Sequence, residues 1–192
     1  MSKLETNQVD PATGTTLTLG TSGDTIAIPS GVTIANSGTA TGFSANTPCF
    51  SARKSDSSQS LSNGSYTKIT FNNEVYDVGN CYASDRFTVP SGEAGKYIFS
   101  SGVMLDNNNH SNTQYVITAF YVNGTQATEC QIDFRNNYGG YSNTPAHSLH
   151  LNLSVGDYVE VYAAIGVTSG TTSALYHSSR HRTYFQGFKL ID

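Results

Sequence analysis

Short runs in which every second residue is apolar dominate most of this chain, and Gly, Asn, Ser and Pro interrupt them at short intervals. Alternation at period two places one face of an extended segment on a core and the other toward solvent. The pattern predicts strands over Cys49-Phe50-Ser51-Ala52-Arg53, Tyr66 to Phe71, Val75 to Tyr82 and Phe87-Thr88-Val89. Further strands follow at Gly95 to Phe99, Val103 to Leu105, Tyr115 to Val122 and Ala127 to Phe134. His147 to Leu153, Val155 to Tyr162 and Tyr184 to Ile191 complete the set. Asn123-Gly124 marks a hairpin, because both residues tolerate the positive φ that a tight two-residue turn requires.

Residues 1–47 carry a thinner version of the same pattern. No aromatic residue precedes Phe43, and only four charged residues occur. Three lines repeat loosely: Thr15 to Gly20, Thr25 to Gly31 and Val32 to Gly38, each alternating aliphatic with small polar residues and ending near a glycine. The period reads as strand, yet such a ribbon lacks the bulk to bury a core by itself. Repeats of this kind need stacking neighbours, and three copies wound together would provide them. A boundary falls near Ser44 to Pro48. The expected organisation is an extended, β-rich, repeat-like arm over residues 1–47 and a head domain over 48–192.

Composition sharpens this picture. Charged residues make up 12% of the 192 positions, about half the usual share of roughly 25%. Aromatics reach 11%, with 12 Tyr and 9 Phe. Disordered chains have few aromatics and high net charge, so an all-β protein with many turns and a substantial core is expected. The net charge of −4 argues against binding a nucleic-acid backbone, which needs a basic face. Arg180-His181-Arg182 is too short a cluster to change that. No window approaches the ~18 apolar residues of a membrane span, and the first residues lack the apolar run of a signal peptide. A protein made in a cytosol and not inserted into membrane is expected. Cys49, Cys81 and Cys130 show no metal-ligand spacing and read as small hydrophobes kept reduced.

The motifs Tyr76-Asp77, Gly79-Asn80, Tyr82, Phe87-Thr88-Val89-Pro90 and Gly95-Lys96-Tyr97-Ile98-Phe99 resemble the globular head of the complement C1q/tumour necrosis factor superfamily. So do the opening Phe50-Ser51-Ala52, the Gly156-Asp157 turn, and the closing Phe185-Gln186-Gly187-Phe188-Lys189-Leu190. The resemblance covers Cys49 to Asp192. It departs at Ser91 to Ala94, a longer link than usual, and at Cys81, where a polar residue is more common and which therefore faces a partner subunit in this reading. The resemblance implies a ten-stranded jelly-roll sandwich acting as a homotrimer. In the superfamily, aromatic faces are buried along a threefold interface. The tyrosine surplus fits that use, and Tyr76, Tyr82, Tyr97, Tyr184 and Phe188 are the expected interface residues. Pro11 to Gly42 is similar in style to N-terminal regions of tail-fibre-type structural proteins of marine bacteriophages.

Candidate chemistry is sparse. Asp77 with Asp85, and Glu129 with Asp133, are conceivable carboxylate pairs of the sort glycoside hydrolysis uses, but nothing around them separates an acid from a base. No nucleophile elbow, phosphate loop or zinc-protease motif occurs, so no enzyme and no cofactor are expected. His147 and His150 fall on opposite faces of a strand and cannot share a metal locally. His177 and His181 bracket a polar loop. Asp106 with Asn107 to Asn109 has the oxygen donors of a calcium loop but equally the make-up of a solvated turn, and no metal is expected. Asn136, Asn137, Tyr138, Tyr141 and Asn143 combine aromatic and amide groups as recognition loops do, and are the expected receptor-binding residues. Together these features point to a phage virion structural protein: a trimeric fibre whose head binds a host-surface glycan or protein, with residues 1–47 contacting other virion proteins. The alternative is a capsid decoration protein whose arm anchors it to the shell.

Overall fold

The computed structural model describes residues 9–38, 46–55, 57–107, 112–134, 142–174 and 181–190. The chain divides into two units, Met1–Phe43 and Ser44–Asp192.

The strands expected in the arm are ones that pair between copies of the chain. No strand occurs among residues 9–38. An extended segment becomes a strand only when a neighbour completes its hydrogen-bond ladder, and among the described residues these lines have none. Local turns punctuate them instead. The Asp24 amide donates to the Thr21 carbonyl (3.0 Å), while Asp24 Oδ2 accepts from the Thr21 amide (2.7 Å). The Val32 amide closes a second turn on the Pro29 carbonyl (3.2 Å). Val9, Leu17, Leu19, Ile26, Ile28, Val32 and Ile34 all face solvent, from 43% exposed at Leu17 to 67% at Ile34.

The second unit is all-β. Its strands are β1 (Cys49–Arg53), β2 (Gln59–Ser60), β3 (Thr67–Lys68), β4 (Asn73–Val78), β5 (Tyr82–Ala83), β6 (Arg86–Thr88), β7 (Gly95–Gly102) and β8 (Leu105–Asn107). They continue with β9 (Thr113–Val122), β10 (Thr125–Asp133), β11 (Ser142–Asn143), β12 (Ala146–Leu153), β13 (Tyr158–Val167), β14 (Thr172–Ala174) and β15 (Tyr184–Lys189). A five-stranded sheet runs β12-β7-β15-β1-β4, and a second runs β10-β9-β13-β6-β5 with β3 also on β13. A small sheet, β11-β8-β14-β2, completes the unit, and all these pairings are antiparallel. The count is fifteen among the described residues rather than ten. The excess is in short rungs of two or three residues, which form where connecting loops lie beside a longer strand or beside one another. Tyr66 to Phe71 shows the same effect: only Thr67 and Lys68 pair, against Ala163 and Tyr162 of β13.

The two large sheets meet through aromatic rings. Phe50, Tyr97, Phe99 and Phe185 come from one sheet, Phe87 and Phe120 from the other, and all are fully buried. Phe50 lies edge-on to Phe185 at 4.7 Å, and Phe87 edge-on to Phe99 at 4.9 Å. Such offset and edge-to-face pairs each add about 0.5–1.5 kcal/mol beyond their buried area. Gly187 makes this packing possible: a Cβ there would sit 2.4 Å from Phe99 Cδ1. The β9–β10 hairpin turns at Asn123 (φ 51°) and Gly124 (φ 80°), as the sequence pattern requires.

Candidate functional site

The ladder registers fix what each large sheet shows to its outer side. In the five-stranded sheet Phe50, Ala52, Tyr97, Phe99 and Phe185 point inward, so alternation turns Cys49, Ser51, Arg53, Ile98, Ser100, Tyr184, Gln186 and Phe188 outward. Register places these in rows across the strands. One row is His150, Ile98, Phe188, Cys49 and Val78; the next is Ser148, Ser100, Gln186, Ser51 and Tyr76. A third is Ala146, Gly102, Tyr184, Arg53 and Asn73. The face therefore grades from apolar at one end to polar at the other. Val75, Tyr76, Val78 and Phe188 are exposed, Tyr76 to 48%. A hollow of about 200 Å³ lies between Tyr76, Ile98 and Phe188 over Ser100 and Gly187.

The outer side of the other large sheet is closed by its own side chains. Ile117, Ala119 and Ala164 form a small buried cluster flanked by Tyr115 and Tyr121. Tyr121 packs on Tyr162 at 4.1 Å, and Tyr66 lies over Tyr121 and hydrogen-bonds to Glu129. Burial and that carboxylate raise the Tyr66 hydroxyl pKa to about 12. Beside them Glu160, almost fully buried, accepts from Lys68 Nζ at 2.7 Å and Arg86 Nε at 2.8 Å. The Arg86 guanidinium also stacks 3.9 Å over the Tyr158 ring. Tyrosines on this side are thus partnered within the chain, whereas Val75, Tyr76, Val78 and Phe188 of the five-stranded sheet are exposed.

Solved structures with the same arrangement now place the fold. The globular domain of zebrafish complement 1qA protein covers 76% of this chain with a TM-score of 0.53 at 15% identity, 98% of that domain being matched. Murine APRIL matches over 74% of this chain and 98% of its own, with a TM-score of 0.52 at 17% identity. Eiger TNF from S. frugiperda covers 75% of this chain and 92% of its own, with a TM-score of 0.50 at 13% identity. The head has the C1q/TNF fold. Among curated proteins, this chain is similar to the phage-like element PBSX protein XkdV of Bacillus subtilis (strain 168), 26% identical over 139 residues. That alignment takes in 69% of this chain but 20% of the relative, so the chain spans about a fifth of the length of the curated protein it matches. No protein-family model matches the chain.

Within the C1q/TNF-like head the expected interface residues separate. Tyr76 and Phe188 are exposed on the five-stranded face, and Tyr184 is half-buried there. Tyr97 and Tyr82 are core residues instead: Tyr97 is fully buried and stacked on Phe99, and Tyr82 stacks on Phe50 at 4.9 Å. Neither has surface to offer a neighbour, because both fall on the inward side of the alternation. Cys81 is likewise buried, not turned toward a partner. Its thiol donates to Asp77 Oδ1 at 3.1 Å, and burial together with that carboxylate pushes its pKa up. The half-buried Ile98 and the exposed Val78 are outward residues that aromatic counting overlooked; strict alternation along β7 and β4 signals them.

Of the expected receptor-binding residues, Asn136, Asn137, Tyr138 and Tyr141 lie outside the described residues, and Asn143 sits half-buried in β11, paired with Leu105. His177 also lies outside them. Three candidate carboxylates have structural partners. Asp77 accepts from the Cys81 and Tyr82 amides (2.9 and 3.1 Å), Asp85 from the Phe71 amide (2.6 Å), and Glu129 from Gln126 (2.7 Å). In the supposed calcium loop, Asn107 Nδ2 donates to the Ser169 carbonyl at 3.1 Å. No group of three metal-ligating side chains occurs among the described residues.

Proposed function

We propose that this chain is a phage structural protein that works as a homotrimer, its head contacting a host surface and its arm, residues 1–47, joining it to other virion proteins. Two unpaired apolar surfaces in one chain carry this reading. The arm exposes seven aliphatic side chains, and the head exposes Val75, Tyr76, Val78 and Phe188 on one sheet. Burying apolar area contributes about 25 cal/mol per Å², and a stable interface covers roughly 800 Å² per partner. Self-association through the five-stranded face and winding of three arms relieve both exposures with one symmetry. The similarity to a phage-like element protein supports the phage setting, and the engagement of Asp77, Asp85 and Glu129 in holding loops and neighbouring side chains supports a non-catalytic role.

Antibody labelling of particles by electron microscopy tests this reading. A few copies at the tail, with purified protein adhering to host cells, agrees with it. Hundreds of copies on the shell and no adhesion would replace it with capsid decoration.

A further inference from the structure

The outer side of the second large sheet, β10-β9-β13-β6 with β3, carries small residues at its centre. Register sets Glu129, Ala119, Tyr162 and Lys68 in one row, Gln131, Ile117 and Ala164 in the next, and Asp133, Tyr115 and Gly166 in a third. Ala119 and Ala164 point outward yet are fully buried, because Tyr115 and Tyr121 pack over them. The Tyr115 ring lies across Gly166 and leaves no room there for a Cβ. A ring resting on the sheet by one side turns its other side to solvent. Tyr66, which lies over Tyr121, is 37% exposed, and Tyr115, Tyr121 and Tyr162 are half-buried. The sheet is thus paved with tyrosine.

Two features decide what such a pavement takes. The first is its want of aliphatic surface: among the described residues of this sheet, Tyr66 is the one large hydrophobic that is exposed. Protein partners dock through apolar side chains that they bury completely, and the five-stranded sheet offers those. Rings edged with hydroxyls and amides suit a partner that is apolar on its face and polar at its rim. A sugar ring is built that way, with C–H bonds on the face and hydroxyls around it. The second feature is charge. Lys68 and Arg86 are both engaged by Glu160, while Glu129 and Asp133 edge the face. A polyanion needs a basic groove, so an uncharged polymer fits better. Glu129 accepts from the Tyr66 hydroxyl and from Gln126 Nε2, and both bonds fall on Oε2. Its Oε1 can accept from a sugar hydroxyl, and the exposed Gln131 amide, one row on, can both donate and accept.

We propose that this face binds a neutral, β-linked polysaccharide of hexoses with equatorial hydroxyls, its rings stacked on Tyr66, Tyr115 and Tyr162 and its hydroxyls on Glu129 and Gln131. Sugars of that kind are flat, with C–H bonds on both faces, as a level pavement requires. The proposal rests on the reading of the head as a host-surface binder and gives that surface a chemistry. The two sheets of a sandwich turn their outer sides in opposite directions, so copies packed on the five-stranded face leave this one open. From Tyr115 to Tyr121 along β9 the face runs about 20 Å, at roughly 3.4 Å per residue, which accommodates several sugar rings in line.

Titration of the full chain with cellohexaose and with laminarihexaose, followed by calorimetry and by tyrosine emission, tests it; the chain contains no tryptophan to mask that signal. At least one hexasaccharide is expected to bind at least tenfold more tightly than glucose and to change the emission. Tyr66→Ala is expected to weaken binding at least fivefold, and Tyr66→Phe less, since it keeps the ring and loses only the bond to Glu129. Should Tyr66→Ala alter the circular dichroism of the head, Gln131→Ala, at an exposed position, is expected to weaken binding on its own. Absence of binding to both hexasaccharides, or binding indifferent to Tyr66→Ala and Gln131→Ala, overturns the proposal. Dextran sulfate binding more tightly than either hexasaccharide means a polyanion face and overturns it too. Adhesion to host cells that survives periodate treatment of the cells but not protease means a protein partner, with the same consequence. Hexasaccharide binding without adhesion leaves the tyrosine face standing while the host-surface reading fails. Adhesion unaffected by Tyr66→Ala, with no hexasaccharide bound, does the reverse.

Discussion

At the scale of single residues, three positions decide how the head holds together. Gly187 faces the Phe99 ring across the β7–β15 ladder, and a Cβ there would also approach the Ile98 carbonyl to 2.9 Å. Phe99 is walled in by Phe50, Phe87 and Tyr97 and cannot swing aside. Gly187→Ala should therefore cost about 1–3 kcal/mol, the usual range for overpacking, read as a lowered urea midpoint. Gly166→Ala meets the Tyr115 ring as closely, but that ring is only half-buried and free to turn outward, so its cost should be smaller. His147 packs on Phe120 at 4.8 Å with neither ring nitrogen hydrogen-bonded. Burial holds its pKa below the usual 6.5. The folded state thus favours neutral imidazole, and stability that is complete above pH 6.5 declines as pH falls toward the folded value. Burial alone would raise the Glu160 pKa, but the hydrogen bonds and charges of Lys68 and Arg86 outweigh it and leave the pKa below 4.5. Its contribution is complete above pH 4.5 and is lost only as pH falls further. An acid titration of stability should show the two windows in that order. His147→Phe should remove the upper one and leave the lower, and Glu160→Gln the reverse.

At the scale of elements, the β9–β10 hairpin ties two parts of the head together. Asn123 supplies the positive φ, and its side chain donates to Asp157 Oδ1 at 2.8 Å and accepts from the Tyr158 amide at 2.9 Å. Asn123→Gly keeps the turn but loses this clasp onto the start of β13. It should still cost about 0.5–1.5 kcal/mol, the net worth of such a hydrogen bond where water can take its place, measurable as a thermal shift. This hairpin, β1 and the closing β15 were legible because period-two alternation and Asn-Gly are local signals. The small sheet β11-β8-β14-β2 was not, because its rungs depend on which loops meet and carry no pattern of their own. The arm was legible only in part for a related reason. Alternation at Leu17, Leu19, Ile26, Ile28, Val32 and Ile34 records what the segment can pair with, and a strand also needs that neighbour present. Counting aromatics picked Tyr97 and Tyr82 for the interface, whereas on the five-stranded sheet register alone separates the inward Tyr97 from the outward Ile98 beside it.

At the scale of the whole molecule, the account rests on the five-stranded face being covered by other copies. Val78→Lys together with Phe188→Lys places charge on positions of that face that a single copy leaves exposed. These changes should leave the circular dichroism of the head intact while lowering the association constant by at least tenfold. Sedimentation equilibrium of the full chain at micromolar concentration tests the central claim most directly. The account predicts a mass three times that of the 20.5 kDa chain, shifting toward one chain in the double-lysine variant. A folded species of a single chain's mass across that range would contradict it.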